Sequence, residues 1–337
     1  MSPEPLSRRA APSALAVPRR GLLAAPLVAC RALAAARPAP DRAGRARILA
    51  AMQDVMGPLP GMSGAPRVEW AEERVFGELR YRKLRYEAEP GDLVPAWLLT
   101  RHDLRRRAPA VICLHQTTRP GKDEPAGLAG KPNLHYAREL ALRGFVTLAP
   151  DYPNFGEYSL DVYARGYVSA TMKGIHNHRR AFDVLTALPE VKRDRLGACG
   201  HSLGGHNALF LAAFDDRVRA AVTSCGFTSF RRYMKGDLTG WSHRGYMPRI
   251  AEAYGKDPAR MPFDFPGVLT AIAPRAVFIN APLHDTNFDV TGVRECVERA
   301  APFFPPKRIV AGYPEAGHDF PPEVRLDAWR FLERHLG

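Results

Sequence analysis

The sequence predicts an α/β fold built on a mainly parallel sheet, and three observations predict it. From about residue 108 onward, short apolar runs of strand length alternate with segments of helical spacing. A glycine-crowded turn at residues 200–205 joins one such run to a helix. Ahead of both, residues 68–103 alternate apolar and charged side chains as half-buried antiparallel strands do.

The antiparallel start is read from Val75, Leu79, Tyr81, Leu84 and Tyr86 among charged neighbours, followed by Leu93–Thr100. Gly91-Asp92 stands between them as a hairpin turn. Buried-strand runs then follow at Ala108–Leu114 and Phe145–Ala149, with helical spacing over Leu134–Leu142 between them. Residues 175–187 carry Ile175, Ala181, Phe182, Val184 and Leu185 as the apolar side of an amphipathic helix. His176 and His178 are expected on or beside its polar face. Further strands are expected near Leu196–Cys199, Val218–Val222, Ala276–Asn280 and Arg308–Ala311, with helices at 290–300 and from Pro321 to Leu336. Strands alternating with helices imply right-handed βαβ units. The stretch 227–274 breaks that rhythm with Trp241, His243, Tyr246, Met247 and Tyr254, and is a candidate lid insertion.

Composition narrows the class. The 337 residues, 46% hydrophobic and 25% charged, suit one large globular domain. The net charge of +13 is unevenly spread: residues 1–50 hold nine arginines against Glu4 and Asp41. No dense basic stripe with interleaved aromatics follows, so a nucleic-acid surface is not expected. No apolar run reaches the roughly 18–20 residues that cross a bilayer. The five cysteines show no C-x-x-C spacing and read as small buried residues rather than a metal or redox site. Arg19-Arg20 ahead of Gly21–Cys30 resembles an export signal of the twin-arginine kind, and Leu27-Val28-Ala29-Cys30 resembles a lipoprotein cleavage box. Residues 1–45 are therefore read as a leader or tail, with cytoplasmic retention as the alternative, and 46–337 as the catalytic domain.

Gly200-His201-Ser202-Leu203-Gly204 matches G-x-S-x-G, a serine on a sharp strand-to-helix turn. The glycines leave room where side chains would strike the neighbouring strand and helix. The helix that starts after the serine turns its free N–H groups toward charge developing there. A serine hydroxyl needs a base to take its proton, and the base needs an acid to set its tautomer. Chain order then matters: serine, acid, histidine, each after a strand. Asp285 follows the strand Ala276–Asn280 and is preferred as the acid over Asp289, which better fits a helix N-cap. His318, in the loop after Arg308–Ala311, is the candidate base. The expected oxyanion donors are the N–H of Leu203 and that of Thr117, with Gln116 as second choice.

From about Pro109 onward the chain resembles bacterial α/β-hydrolases of the dienelactone hydrolase and acetyl xylan esterase kind. The carriers are LHQTT at 114–118, APDYPNFGEY at 149–158, GHSLGG at 200–205, PLHDTNFD at 282–289 and AGHDF at 316–320. His115-Gln116 stands where many relatives have His-Gly, and Ser202 where true dienelactone hydrolases have cysteine. The resemblance implies an α/β-hydrolase fold and an esterase that needs no cofactor or metal. It suggests small-molecule or carbohydrate esters as substrates. A serine peptidase or amidase of the prolyl-oligopeptidase type is the alternative within enzymes, and a non-catalytic binding protein on the same scaffold the alternative outside them.

Overall fold

The computed structural model describes residues 27–28, 40–62 and 64–337. The leader's Arg19-Arg20 pair and Cys30 lie outside these residues. The strands are β1 (Leu27–Val28), β2 (Val68–Phe76), β3 (Leu79–Glu89), β4 (Asp92–Arg101), β5 (Ala108–Leu114), β6 (Val146–Pro150), β7 (Val191–His201), β8 (Val218–Ser224), β9 (Ala276–Asn280) and β10 (Ile309–Gly312). They form one open sheet in the order β1-β10-β9-β8-β7-β5-β6-β4-β3-β2. Strands β5 to β10 run parallel to their neighbours within that group, whereas β2, β3 and β4 add to β6 as an antiparallel meander. This is the predicted sheet, with one correction. The alternating run through Val75 and Tyr81 is two strands, because the chain reverses at Gly77-Glu78, where Gly77 has φ +59°. A period-2 pattern that stays in phase across a tight turn conceals the turn.

The helices are α1 (Arg42–Met56), α2 (Tyr136–Leu142), α3 (Ala170–Ala187), α4 (Leu203–Phe214), α5 (Arg249–Glu252), α6 (Phe265–Ile272), α7 (Val290–Ala300) and α8 (Pro322–Leu336). One face of the sheet buries apolar side chains of α3, α4, α6 and α7, including Phe182, Phe210, Leu269 and Val293. The other face packs Tyr136 and Leu140 of α2 and Trp329 and Leu332 of α8. Sandwiching the parallel strands explains their continuous apolar runs, which leave neither face for water. Among the described residues no helix is long and apolar enough to cross a membrane.

Helix α1 begins at Arg42, ahead of the expected boundary at residue 46. Asp41 caps α1 by accepting from the Gly44 N–H. Arg45 donates to the carbonyls of Ala213 (2.7 Å) and Ala271 (3.0 Å) and pairs with Asp216, binding α1 to the ends of α4 and α6. Strand β1 pairs antiparallel with β10 at the sheet edge.

The expected polar face of α3 is not found. His176 and His178 are buried, as are Lys173 and Asn177 of the same helix. Lys173 meets Asp92 at 2.5 Å and Glu89 at 3.3 Å, so its charge is paired by residues of the N-terminal meander. Burial pulls the pKa of His178 down to about 3, that of His115 to about 4 and that of His206 to about 3. Each is thus neutral in the fold but takes a proton in the unfolded chain below its ordinary value of about 6.5. The unfolded state then binds more protons as pH falls through that value, and stability is lost on acidification. Asp151, raised to about 6 by burial, acts in the opposite sense. The thermal midpoint should therefore drop between pH 7 and pH 5. His178→Asn should remove about one proton from the uptake on unfolding at pH 5, read from the pH slope of the unfolding free energy.

Candidate active site

Strand β7 delivers Ser202 to the carboxyl end of the sheet and α4 begins at the next residue. The serine has φ 53° and ψ −117°, a conformation costing about 1–3 kcal/mol for a residue with a side chain. The surrounding backbone holds it there. Its N–H donates to the Ser224 carbonyl at 2.8 Å, and its carbonyl accepts from Gly205 at 2.9 Å and His206 at 3.2 Å. A Cβ at Gly204 would lie 1.8 Å from the Leu114 carbonyl oxygen, and one at Gly200 would lie 2.2 Å from the Gly204 carbonyl oxygen. At Gly205 it would meet the Gly226 Cα at 2.8 Å. The glycines of the motif are thus dictated by backbone contacts on three sides.

Asp285 lies after β9 and His318 after β10, and the structure brings them together. Both carboxylate oxygens of Asp285 are 3.0 Å from His318 Nδ1. Asp285 Oδ1 also accepts from the N–H groups of Asn287 (2.8 Å) and Phe288 (3.1 Å). Burial pushes the Asp285 carboxyl up, but the hydrogen bond and charge of His318 and the two backbone N–H groups outweigh it and hold it below the ordinary value. With Nδ1 committed to the carboxylate, His318 keeps Nε2 as the nitrogen able to accept a proton. Asp289 caps α7 instead, accepting from Thr291 and Gly292.

Ser202, His318, Leu203, Thr117 and Gln116 line one cavity of about 350 Å³. A larger hollow at the amino ends of the strands, lined by Arg195, Arg219, Arg275 and Arg308, holds neither the serine nor the acid–histidine pair. The loop after β5 is set by His115, whose Nδ1 donates to the Gln116 carbonyl at 2.6 Å while Nε2 accepts from the Tyr152 N–H at 2.9 Å. Fixing the Gln116 carbonyl fixes the peptide plane whose opposite end is the Thr117 N–H. The Gln116 side chain is occupied with Glu124 at 3.1 Å, and the Thr117 hydroxyl with the Tyr246 hydroxyl at 2.7 Å.

Several residues here were not singled out from sequence. Asn280 donates to Ser224 Oγ (2.8 Å) and to the Asp319 carbonyl (2.9 Å), joining β8, β9 and the histidine loop. His201 lies against Ser224 Oγ at 2.9 Å and its ring is 4.8 Å from that of His318. Its place inside the G-x-S-x-G motif was the available signal. The insertion 227–274 supplies Tyr233, Gly240, Trp241 and Tyr246 to the cavity wall, with Phe288 opposite. Four cysteines, Cys113, Cys199, Cys225 and Cys296, are buried free thiols.

A serine on a glycine-bound strand–helix turn, with an acid and a histidine at the ends of the following parallel strands, defines the α/β-hydrolase class, and this chain has that fold. Residues 133–287 match the model of the prolyl oligopeptidase family. YtaP of Bacillus subtilis, named as a candidate hydrolase, is 23% identical over 80% of this chain and 91% of its own length. An uncharacterized Pseudomonas aeruginosa protein is 36% identical over 34% of this chain and 28% of its own. A glucuronoyl esterase from Solibacter usitatus superposes with a TM-score of 0.70 at 15% identity, covering 87% of this chain and 92% of that one. Acetyl xylan esterase 1 from Thermoanaerobacterium sp. gives 0.62 at 18% identity, covering 89% and 95%.

The geometry separates the two candidate acids. Asp285→Asn should lower any turnover that relies on His318 by about 10³–10⁴-fold, through the wrong tautomer. Asp289→Ala should cost about 1 kcal/mol of stability and leave kcat near wild type. Kinetics and thermal melts of the two variants side by side check the assignment.

Proposed function

We propose that the protein is a serine hydrolase that cleaves carboxylic esters through an acyl-enzyme. The carrying observation is the carboxylate of Asp285 held on His318 Nδ1 beside a strained Ser202 in the same cavity. In this mechanism Ser202 Oγ attacks the ester carbonyl while His318 Nε2 takes its proton, and the N–H groups of Leu203 and Thr117 bind the oxyanion. The C–O bond to the alcohol breaks and His318 returns the proton to the departing oxygen. Water then attacks the acyl-serine by the same route, releasing the acid and free Ser202. Asp285 stays ionised throughout and stabilises the imidazolium. None of these steps calls for a metal or organic cofactor.

Esters of carbohydrates, acetyl esters among them, are the substrate class we favour, supported by the likeness to acetyl xylan and glucuronoyl esterases. Amide hydrolysis is the second reading, favoured by the match to the prolyl oligopeptidase model. Hydrolysis of p-nitrophenyl acetate, butyrate and octanoate, with the matching p-nitroanilides, tests both. Wild type should turn over the short esters at least about 10³-fold faster than Ser202→Ala and act weakly on the anilides. Equal rates for wild type and Ser202→Ala would remove the mechanism, and faster anilide cleavage would move the protein to the amidases.

We further propose that 227–274 acts as a lid over the cavity and that the leader directs export. Fractionation of the native host followed by N-terminal sequencing checks the leader: recovery from the periplasm or medium with Arg19-Arg20 removed is expected. Because β1 sits within that leader and pairs with β10, an intact N-terminus on cytoplasmic protein would favour retention instead.

A further inference from the structure

At the end of the sheet opposite Ser202, four adjacent parallel strands each bring an arginine to one hollow of about 510 Å³. Arg195 lies in the first half of β7, Arg275 directly precedes β9 and Arg308 directly precedes β10. Arg219 reaches the same hollow from β8 through an irregularity in the ladder. Leu196 pairs with Val218 and Gly197 with Ala220, so Arg219 is the extra residue of a bulge. Bulges re-aim side chains, and this one admits an exposed charged residue to a strand that is otherwise buried.

The charge gathered here is only partly offset within the chain. Asp194 stands 3.5 Å from Arg195, and Asp216 stands 3.5 Å from Arg275 and 2.7 Å from Arg45. Arg219 and Arg308 have neither an ion pair nor a side-chain hydrogen bond among the described residues. Arg275 is the fixed member, donating to the carbonyls of Ile272, Asp215 and Val218 at 2.9–3.1 Å. Burial, joined by the charges of Arg45 and Arg219, pulls its pKa down to about 10, although Asp216 and Asp215 act to raise it. Like charges therefore repel across the hollow in the folded protein, and an anion placed there relieves that repulsion.

The shape of the cluster selects the anion. A guanidinium presents parallel N–H groups that match the oxygens of a phosphate or a carboxylate. Neighbouring strands are about 4.8 Å apart, so four of them spread the arginines over about 14 Å. One small ion meets only part of such a row, whereas a molecule with several anionic groups spans it. No tryptophan, tyrosine or phenylalanine lines the hollow, so it lacks the stacking platform on which single-stranded nucleic acid is held.

We propose that this hollow is a binding site for a small oligoanion, a molecule carrying two or more phosphate or carboxylate groups. The site is separate from the catalytic cavity and does not depend on the esterase reading, so its test reads binding rather than ester hydrolysis.

Isothermal titration calorimetry in about 0.15 M salt, where isolated surface charges are screened, takes inorganic tripolyphosphate and citrate as probes. Wild type should bind at least one of them at a single saturable site. The tighter of the two shows whether phosphates or carboxylates are recognised. Arg219→Gln and Arg308→Gln should each weaken that binding by about tenfold, through loss of one charge-assisted pair. Both side chains are exposed and unpaired, so the thermal midpoints of these variants without ligand should equal or exceed that of wild type. Arg231→Gln, close to Tyr233 at the catalytic end, controls for net charge and should leave the affinity unchanged. Absence of saturable binding for both probes would overturn the site. So would an affinity that Arg219→Gln and Arg308→Gln leave intact, or that Arg231→Gln lowers equally. If the variants misfold, wild-type crystals grown with each probe decide the matter: an anion among the four arginines supports the site, and an anion elsewhere, or none, overturns it.

Discussion

Three segments of chain approach one another backbone to backbone beneath Ser202, and the rest of the site depends on that approach. Where Gly204 passes Leu114, a methyl group would sit 1.8 Å from a carbonyl oxygen, far inside any contact the chain could relax. The same closeness sets Thr117 and Gln116, three and two residues beyond Leu114, at the mouth of α4. The hydrogen bond from Ser202 to Ser224 carries the constraint sideways to β8. Asn280 then carries it on to β9 and the histidine loop. Ser202 therefore follows a central strand directly, and the loop that carries His318 is tied to β9 at the neighbouring Asp319. A site anchored in this way keeps its geometry without help from bound ligand.

Electrostatics follow the same design. Asp285 is buried, and it stays ionised because three donors converge on its two oxygens. His201 and His206, which flank the serine along the chain, are kept neutral by burial. His318, the more exposed of the site histidines, is the one facing the carboxylate. Three imidazoles of one kind thus sit in different surroundings, two sealed from water and the third facing a carboxylate.

Much of this could be read from the sequence because the chemistry is local. Ser202 is flanked by glycines that have little other reason to cluster, and His318 sits in a glycine-containing loop after a strand. The separate surroundings of Asp285 and Asp289 were also readable, since an aspartate directly ahead of a helix has a capping role that accounts for it. The hairpin at Gly77 was hidden because alternation continues in phase through it. The burial of His176 and His178 was hidden because the groups that cover α3, Asp92 and Glu89 among them, come from a meander some eighty residues earlier. The contact of His206 with Trp241 is likewise tertiary: thirty-five positions separate them, and neither lies in a motif.

The insertion that shapes the cavity is also part of the core. Trp241 packs on Phe230 and Phe265, and Phe265 stacks on Phe210 of α4 and on Phe227. The rings that line the cavity are the outer layer of the rings that hold α4 and α6 in place. In evolutionary terms, this couples the protein's substrate range to its fold. A lineage can exchange Asn287 at the rim with little loss of stability, whereas redrawing the aromatic wall means repacking one face of the sheet. Drift in specificity should therefore begin at the rim and reach the wall only where extra stability has already accumulated.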